Sequence, residues 1–506
     1  MNWLKVLVIG LDGATWTLLK TLTDAGDLPF VKKLIDGGVR GDLVSTIPPV
    51  TFPAWKCYST GKNPGKLDVF GWIKPDFERK TIVPNSSVDF KAREIWDYLS
   101  KNDILCCSVG MPTTYPPKKI NGVLVSEFNP RNTGFVYPTE LEEEIRSKLG
   151  YRAFFEDFHG KKDILWNTME LIKQRFKLCN FLHLRYNFSF INLTIFFIDN
   201  IQHFYWRDEE SLKHAWKLID AEIKNLVETV EPDILFFVSD HGFTTQKAMF
   251  NITHWLLLEG YLVLKRKWMN VLAKLGLLPY VSRLGKFLLK KMRIRKEETK
   301  EIGRVSYDFI DWEKSKVIPF SEGSLYINPL IVKKSEYRKL KRELMDKLRE
   351  IRDPRTNESI FKVFTKEEIY SGKYTGNAPD VVLLPREGYE IICGFAKPLW
   401  VFKVKQSGWD GIHNLNGIFL AYGKCIKKGV KIERVKIYDV APTILHIFGL
   451  PIPDDIDGRV LMEIFEENSE ISKRQPIYVR PSYYDRRNEK ELLKSKIRKL
   501  KQEGKI

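Results

Sequence analysis

The sequence predicts an α/β protein: a doubly wound, mostly parallel sheet with helices on both faces. Two observations carry this. Short apolar runs alternate with amphipathic stretches over most of the 506 residues. The runs are apolar at successive positions, as strands covered on both faces must be. Composition agrees, since 43% hydrophobic and 13% aromatic residues supply enough apolar surface to offset the ordering entropy of a folded core.

Lys5–Leu11, Val123–Ser126, Asn192–Ile198, Ile234–Ser239, Val381–Leu384 and Ile418–Tyr422 read as buried strands. Helical periodicity predicts helices over Pro29–Asp36, Ala92–Ser100, Glu140–Lys148, Ile164–Leu178, Leu212–Val230 and Tyr337–Arg352. Strands alternating with helices wind a parallel sheet, and such sheets place ligands at the carboxyl ends of their strands. The longest stretches without Asp, Glu, Lys or Arg are fourteen residues, Ile104–Pro117 and Val440–Pro453. That is short of the roughly 18 a membrane-crossing helix needs.

Two regions break the alternation. Lys265–Lys300 carries twelve Lys and Arg against two Glu, with Leu, Val and Phe at helical spacing. The tail from about Asn468 is polar and basic. The expected organisation is therefore a discontinuous α/β core over 1–262 and 306–466 with cap elements inside it, a basic helical insertion at 263–305 and a basic C-terminal tail at 467–506. The insertion reads as a lid packing its apolar side on the core. The other reading is an interfacial helix, which would make the chain a peripheral protein of anionic membranes.

The formal charge of +18 suits anionic substrates. No nucleic-acid-binding motif accompanies it, which argues against a nucleic-acid partner. The opening MNWLKVLVIGLDG runs straight into a core strand with no signal-peptide pattern, and the six cysteines show no metal-knuckle spacing. Both point to a cytoplasmic protein with reduced thiols. Only six glutamines beside abundant Lys, Glu and Ile point to a heat-adapted source.

Chemistry gathers at the strand ends. Asp12 follows the first strand, Asp199 and His203 follow NLTIFFI, Asp240 and His241 follow ILFFVS, and His413 precedes GIFLAYG. Each alone is a common turn or structural residue. Together they put three aspartates and three histidines at one end of one sheet, a carboxylate–imidazole set suited to Zn²⁺, Mn²⁺ or Fe and large enough for two ions. Ser45–Gly61 (STIPPVTFPAWKCYSTG) offers a nucleophile. Thr51 precedes an expected amphipathic helix that Pro53 would start, near the positive end of the helix dipole. Thr51 reads either as a helix cap or, beside a metal pair, as an activated hydroxyl.

The order Asp12, Thr51, Asp199-x-x-x-His203, Asp240-His241, His413 resembles the alkaline phosphatase superfamily, in particular its type I phosphodiesterase/nucleotide pyrophosphatase branch. TFPAWKCYSTGKNPG, NAPDVVLL and IYDVAPTILHIFGLPIPDDIDGRVL are similar too, so the likeness runs from about Lys5 to Leu461. It implies an alkaline phosphatase-like fold and a two-metal phosphoric ester hydrolase working through a phosphothreonine intermediate, with Zn the first choice of metal and Mn the second. Asp199, His203 and His413 would hold one ion, and Asp12, Asp240, His241 and the Thr51 hydroxyl the other. Phosphate-ester small molecules, nucleotides among them, would be the substrates. Phosphomonoesterase or phosphotransferase activity at the same site is the alternative.

Ala54 stands where nucleotide-cleaving members typically carry Asn. The Phe52 backbone N–H would then hold a phosphate oxygen, with Asn63 or Lys62 as further candidates, and Asp380 would support the site or fix its own loop. Sulfatases require Cys or Ser in a C/S-x-P-x-R motif, which Thr51 and Trp55 do not satisfy.

Overall fold

The computed structural model describes residues 3–90, 92–127, 133–153, 161–267, 270–271, 307–394, 401–404 and 409–485. Most of the basic insertion and the end of the tail lie outside these residues. The chain forms two compact units, one of Met1–Asn63, Ser86–Phe243 and His413–Ile506, the other of Pro64–Asn85 and Thr244–Ile412.

The first unit is built on a nine-stranded sheet. Its strands are β1 (Val6–Leu11), β2 (Val39–Val44), β3 (Cys106–Met111), β4 (Gly122–Ser126), β5 (Val136–Tyr137), β6 (Phe190–Ile195), β7 (Ile234–Val238), β8 (Asn416–Gly423) and β9 (Val430–Lys436). Their order is β9-β2-β8-β7-β1-β6-β3-β4-β5. β1 pairs parallel with both β6 and β7, while β8 runs antiparallel between β7 and β2.

Every side chain of β1, β3, β6 and β7 is buried. On one face Leu7, Ile9 and Leu11 join the helices Trp16–Asp24, Pro29–Gly37, Lys161–Tyr186 and Glu209–Val230 in a single core. On the other face lies the Thr51–Thr60 helix, packed on the Ile437–Asp439 turn and the Val440–Ile447 helix. Among the described residues no helix is long and apolar enough to cross a membrane.

The second unit has its own core around Leu256, Ile318, Leu325, Leu344 and Val381. It holds a four-stranded antiparallel sheet ordered Val317–Phe320, Ser324–Ile327, Val381–Pro385, Phe361–Thr365, and a three-stranded sheet around Ala248–Asn251.

Several expectations need correction. Val381–Leu384 is a strand, but of this antiparallel sheet rather than the central one. Ile418–Tyr422 is central but antiparallel, because a continuous apolar run reports burial on both faces and says nothing of direction. The apolar run Asn192–Ile198 is cut at Ile195, where its pairing with Leu11 ends, and a helix begins at Phe197. β2 and β9 lie where the pattern predicts no strand, since they alternate polar and apolar residues at the sheet margin. The expected amphipathic helix starts at Thr51 itself, before Pro53, and all its residues are buried.

That last helix needs polar compensation. The ammonium of Lys56 lies 2.7 Å from Glu94 Oε1, and Lys118 reaches the other carboxylate oxygen at 2.6 Å. Ser59 Oγ donates to Glu94 at 2.9 Å. Burial works against the Glu94 charge, but Lys118 and Lys56 outweigh it and hold the carboxyl at about 2. Stabilisation from this group is therefore complete above its ordinary value of 4.5 and is lost as pH falls toward about 2. Replacing Glu94 by Gln strands a buried ammonium and should cost roughly 3–5 kcal/mol of stability at neutral pH. Denaturant unfolding of both proteins checks this, and the gap between them should narrow as the pH drops through that window.

Candidate active site

The parallel sheet dictates where the polar residues gather. β7, β1 and β6 are neighbours pointing the same way, so their carboxyl ends deliver Asp240 and His241, Asp12, and the helix bearing Asp199 and His203 to one edge. Because β8 runs the other way, its beginning lies at that same edge, and His413 stands just before it. β2 ends there too, paired at Val44 with Asn416, and leads to Thr51. All seven residues belong to the first unit.

Local structure aims them. Gly13 takes a left-handed conformation (φ 68°), and its N–H donates to Asp240 Oδ1 at 3.2 Å. A Cβ there would come within 2.8 Å of Gln202 and Phe243, so the turn after Asp12 requires glycine. Asp199 and His203 lie one turn apart on the Phe197–Tyr205 helix, as their spacing predicts. His413 Nδ1 lies 3.0 Å from the Pro49 carbonyl and His241 Nδ1 lies 3.1 Å from that of Gly242. Each carbonyl favours a proton on Nδ1 and turns the Nε2 lone pair toward the cluster.

Two groups of donor atoms converge: Asp199, His203 and His413, and Asp12, Asp199 and His241. Within each, one atom per residue lies within 4.8 Å of the others. The Nε2 atoms of His203 and His413 are 3.1 Å apart, each 3.3 Å from an Asp199 oxygen. His241 Nε2 is 3.2 Å from Asp240 Oδ2, 3.5 Å from Asp12 Oδ1 and 3.3 Å from Thr51 Oγ1. Asp199 thus contributes to both groups, where the sequence reading gave it to one.

The donor set fits divalent cations. Asp12 Oδ1, Asp199 Oδ1 and Asp240 Oδ2 are buried and accept no hydrogen bond. Burial, then Asp240 and Asp199, raise the Asp12 carboxyl well above its usual range. Burial, countered by His413 and reinforced by Asp199, pushes Asp240 up to about 7. Burial opposes the charge on Asp199, yet His203 and His413 hold it well below the usual range. His241 is kept neutral by burial and by His413. Three crowded carboxylates with bare oxygens and imidazoles offering lone pairs are a site that cations neutralise.

Thr51 is the first residue of its helix; the preceding residue, Val50, is extended, and no side chain caps the helix end. Its hydroxyl faces His241 instead of serving as a cap. Phe52 follows in the first turn. Asn63 and Lys62 are engaged by residues distant in the chain: the Asn63 N–H donates to Asp457 at 2.7 Å, and the Lys62 ammonium pairs with Asp455. Asp380 lies in the second unit, lining a cavity of about 600 Å³. It accepts from Ile327 N (2.7 Å), Tyr337 Oη (2.6 Å) and Lys366 Nζ (2.8 Å), which pin its loop.

Sequence reasoning missed Trp55, whose indole N–H donates to Asp12 Oδ2 at 2.8 Å, and Gln202, which donates to the Gly13 carbonyl at 3.0 Å. Trp55 carried one signal, its position a helical turn after Thr51.

The model of the type I phosphodiesterase/nucleotide pyrophosphatase family matches residues 6–412. Human ectonucleotide pyrophosphatase/phosphodiesterase 5 is similar in fold, with a TM-score of 0.52 at 14% identity over 88% of this chain and 95% of that one. An inactive variant of the murine protein in complex with AMP gives 0.50 at 13% identity, over 88% and 95%. A mutant of alkaline phosphatase PafA gives 0.57 at 12% identity, over 92% of this chain and 100% of that one. No curated protein matches the sequence. The chain belongs to the type I phosphodiesterase/nucleotide pyrophosphatase family, within an alkaline phosphatase-like fold.

Proposed function

We propose that this enzyme cleaves phosphodiester or pyrophosphate bonds of small nucleotide-like substrates through a phosphothreonine intermediate on Thr51. One observation carries the reading: a buried hydroxyl at a helix start, 3.3 Å from His241 Nε2, beside three carboxylates with bare oxygens. Asp199, His203 and His413 would hold one divalent cation, and Asp12, Asp240, His241 and Thr51 the other. The imidazole-rich set favours Zn²⁺, with Mn²⁺ the second choice. When bound, the two cations supply Lewis-acid stabilisation of phosphoryl oxygens and lower the pKa of the coordinated hydroxyl.

The chain's own residues do the rest. Thr51 Oγ1 attacks phosphorus, a P–O bond to the leaving alcohol or phosphate breaks, and Thr51 carries the phosphoryl group. Water then cleaves that ester and restores the hydroxyl. The Phe52 N–H, in the first turn of the helix, is the proposed donor to a phosphoryl oxygen, aided by the positive end of the helix dipole. The Asn63 N–H and the Lys62 ammonium are held by Asp457 and Asp455. The AMP complex of the murine neighbour and the +18 charge support a nucleotide-like substrate. Six free thiols accord with a cytoplasmic location.

Matched chromogenic substrates test the reading: chelator-sensitive turnover should favour the diester over the monoester, and the reverse preference would make the enzyme a phosphatase. Thr51→Ala should lower turnover by roughly three orders of magnitude or more, with thermal midpoint and metal content unchanged. Wild-type rates in that variant would remove Thr51 as nucleophile. Elemental analysis of His413→Ala should find one bound ion fewer than in the parent.

A further inference from the structure

We infer that Trp55 is a positioning residue that aims the Asp12 carboxylate into the cation centre, so that the helix carrying Thr51 also sets that centre's affinity. The inference rests on the reading of Asp12 as a cation ligand. The two Asp12 oxygens are not equivalent. Oδ2 accepts the Trp55 indole N–H at 2.8 Å, while Oδ1 accepts no hydrogen bond and faces His241 Nε2 at 3.5 Å. An aspartate turns about only two bonds, so holding one oxygen fixes where the other points. The indole is a donor with no acceptor atom, and it can hold a carboxylate without competing for the cation.

The ring itself is held. Trp55 is fully buried and packs edge-on against Tyr58 at 5.5 Å, whose hydroxyl donates to Asn192 Oδ1 at 2.7 Å. Gly10 of β1 leaves the space that the ring fills: a Cβ there would lie 2.7 Å from Trp55 Cη2 and 3.2 Å from Thr194 Oγ1. The glycine, two residues before Asp12, thereby admits the donor that orients the carboxylate. Trp55 stands one helical turn beyond Thr51, so one rigid helix presents both the hydroxyl and the clamp. A buried tryptophan with a satisfied N–H also serves as plain packing. The two roles separate by cation affinity.

The test titrates Zn²⁺ and, separately, Mn²⁺ into chelator-stripped full-length protein against a chromophoric competitor. Trp55→Phe should weaken the tighter or the looser of the two binding steps by about 10–100-fold. Cys57→Ala, which thins the packing of the same buried helix, should leave both steps unchanged. Gly10→Ala, which keeps the indole but displaces it, should reproduce the loss and decides the matter if Trp55→Phe fails to fold. Asp12→Asn is the separate check on the ligand reading: unchanged binding there would overturn that reading. Weakened binding in Asp12→Asn with unchanged binding in Trp55→Phe or Gly10→Ala would overturn the positioning role alone. A lower melting temperature of the cation-free Trp55→Phe protein with unaltered affinity would mark Trp55 as packing and overturn it too.

Discussion

Asp12, Asp199 and Asp240 meet where the neighbouring strands β1, β6 and β7 end, buried and each with an oxygen that no hydrogen bond satisfies. Like charges in a low-dielectric site repel strongly, so this crowding opposes folding until something positive enters. Asp199 differs from the other two: burial opposes its charge, yet His203 and His413 beside it hold its carboxyl well below the usual range. Asp12 and Asp240 stay raised, and the neutral His241 gives them no countercharge. The arrangement makes sense as a centre completed by cations, and the Thr51 hydroxyl faces the same cluster.

Around that centre the fold spends its polar contacts on orientation. Carbonyls of Pro49 and Gly242 lie against Nδ1 of His413 and His241 and favour a proton there. Gly13 gives an N–H to Asp240, and Gln202 holds the Gly13 carbonyl. The Thr51–Thr60 helix is buried on all sides, which an apolar helix would manage without help. This one carries Lys56 inward, and Glu94 compensates it. A helix so enclosed cannot shift easily, which suits the nucleophilic role proposed for Thr51.

Much of the site was legible in the sequence because its residues sit at strand ends in short, recognisable windows. GLDG, DNIQH and SDHGF each announced a turn or helix start with residue types that can ligate a metal, and the family resemblance placed Thr51 among them. Less legible were elements whose local pattern is ambiguous. A run such as NLTIFFI fits a strand or a buried helix start equally, so Phe197 and Ile198 were expected in the strand and stand instead in the helix that carries Asp199. VVLL at 381–384 read as a central strand, although its partners, Ser324–Ile327 and Phe361–Thr365, lie in another sheet.

By itself the sequence determined the fold class, the identity of the polar residues at the sheet's edge, and the one-turn spacing of Asp199 and His203. These depend on local propensity and period, which short windows contain. Only the tertiary structure decided that Asp199 faces both donor groups, that the Thr51 hydroxyl turns to His241 instead of capping its helix, and that Trp55 lies over Gly10 to hold Asp12. Each of these joins residues from tens to hundreds of positions apart or selects one atom of a side chain. Such choices follow from how distant strands pack, and no window of sequence holds both partners.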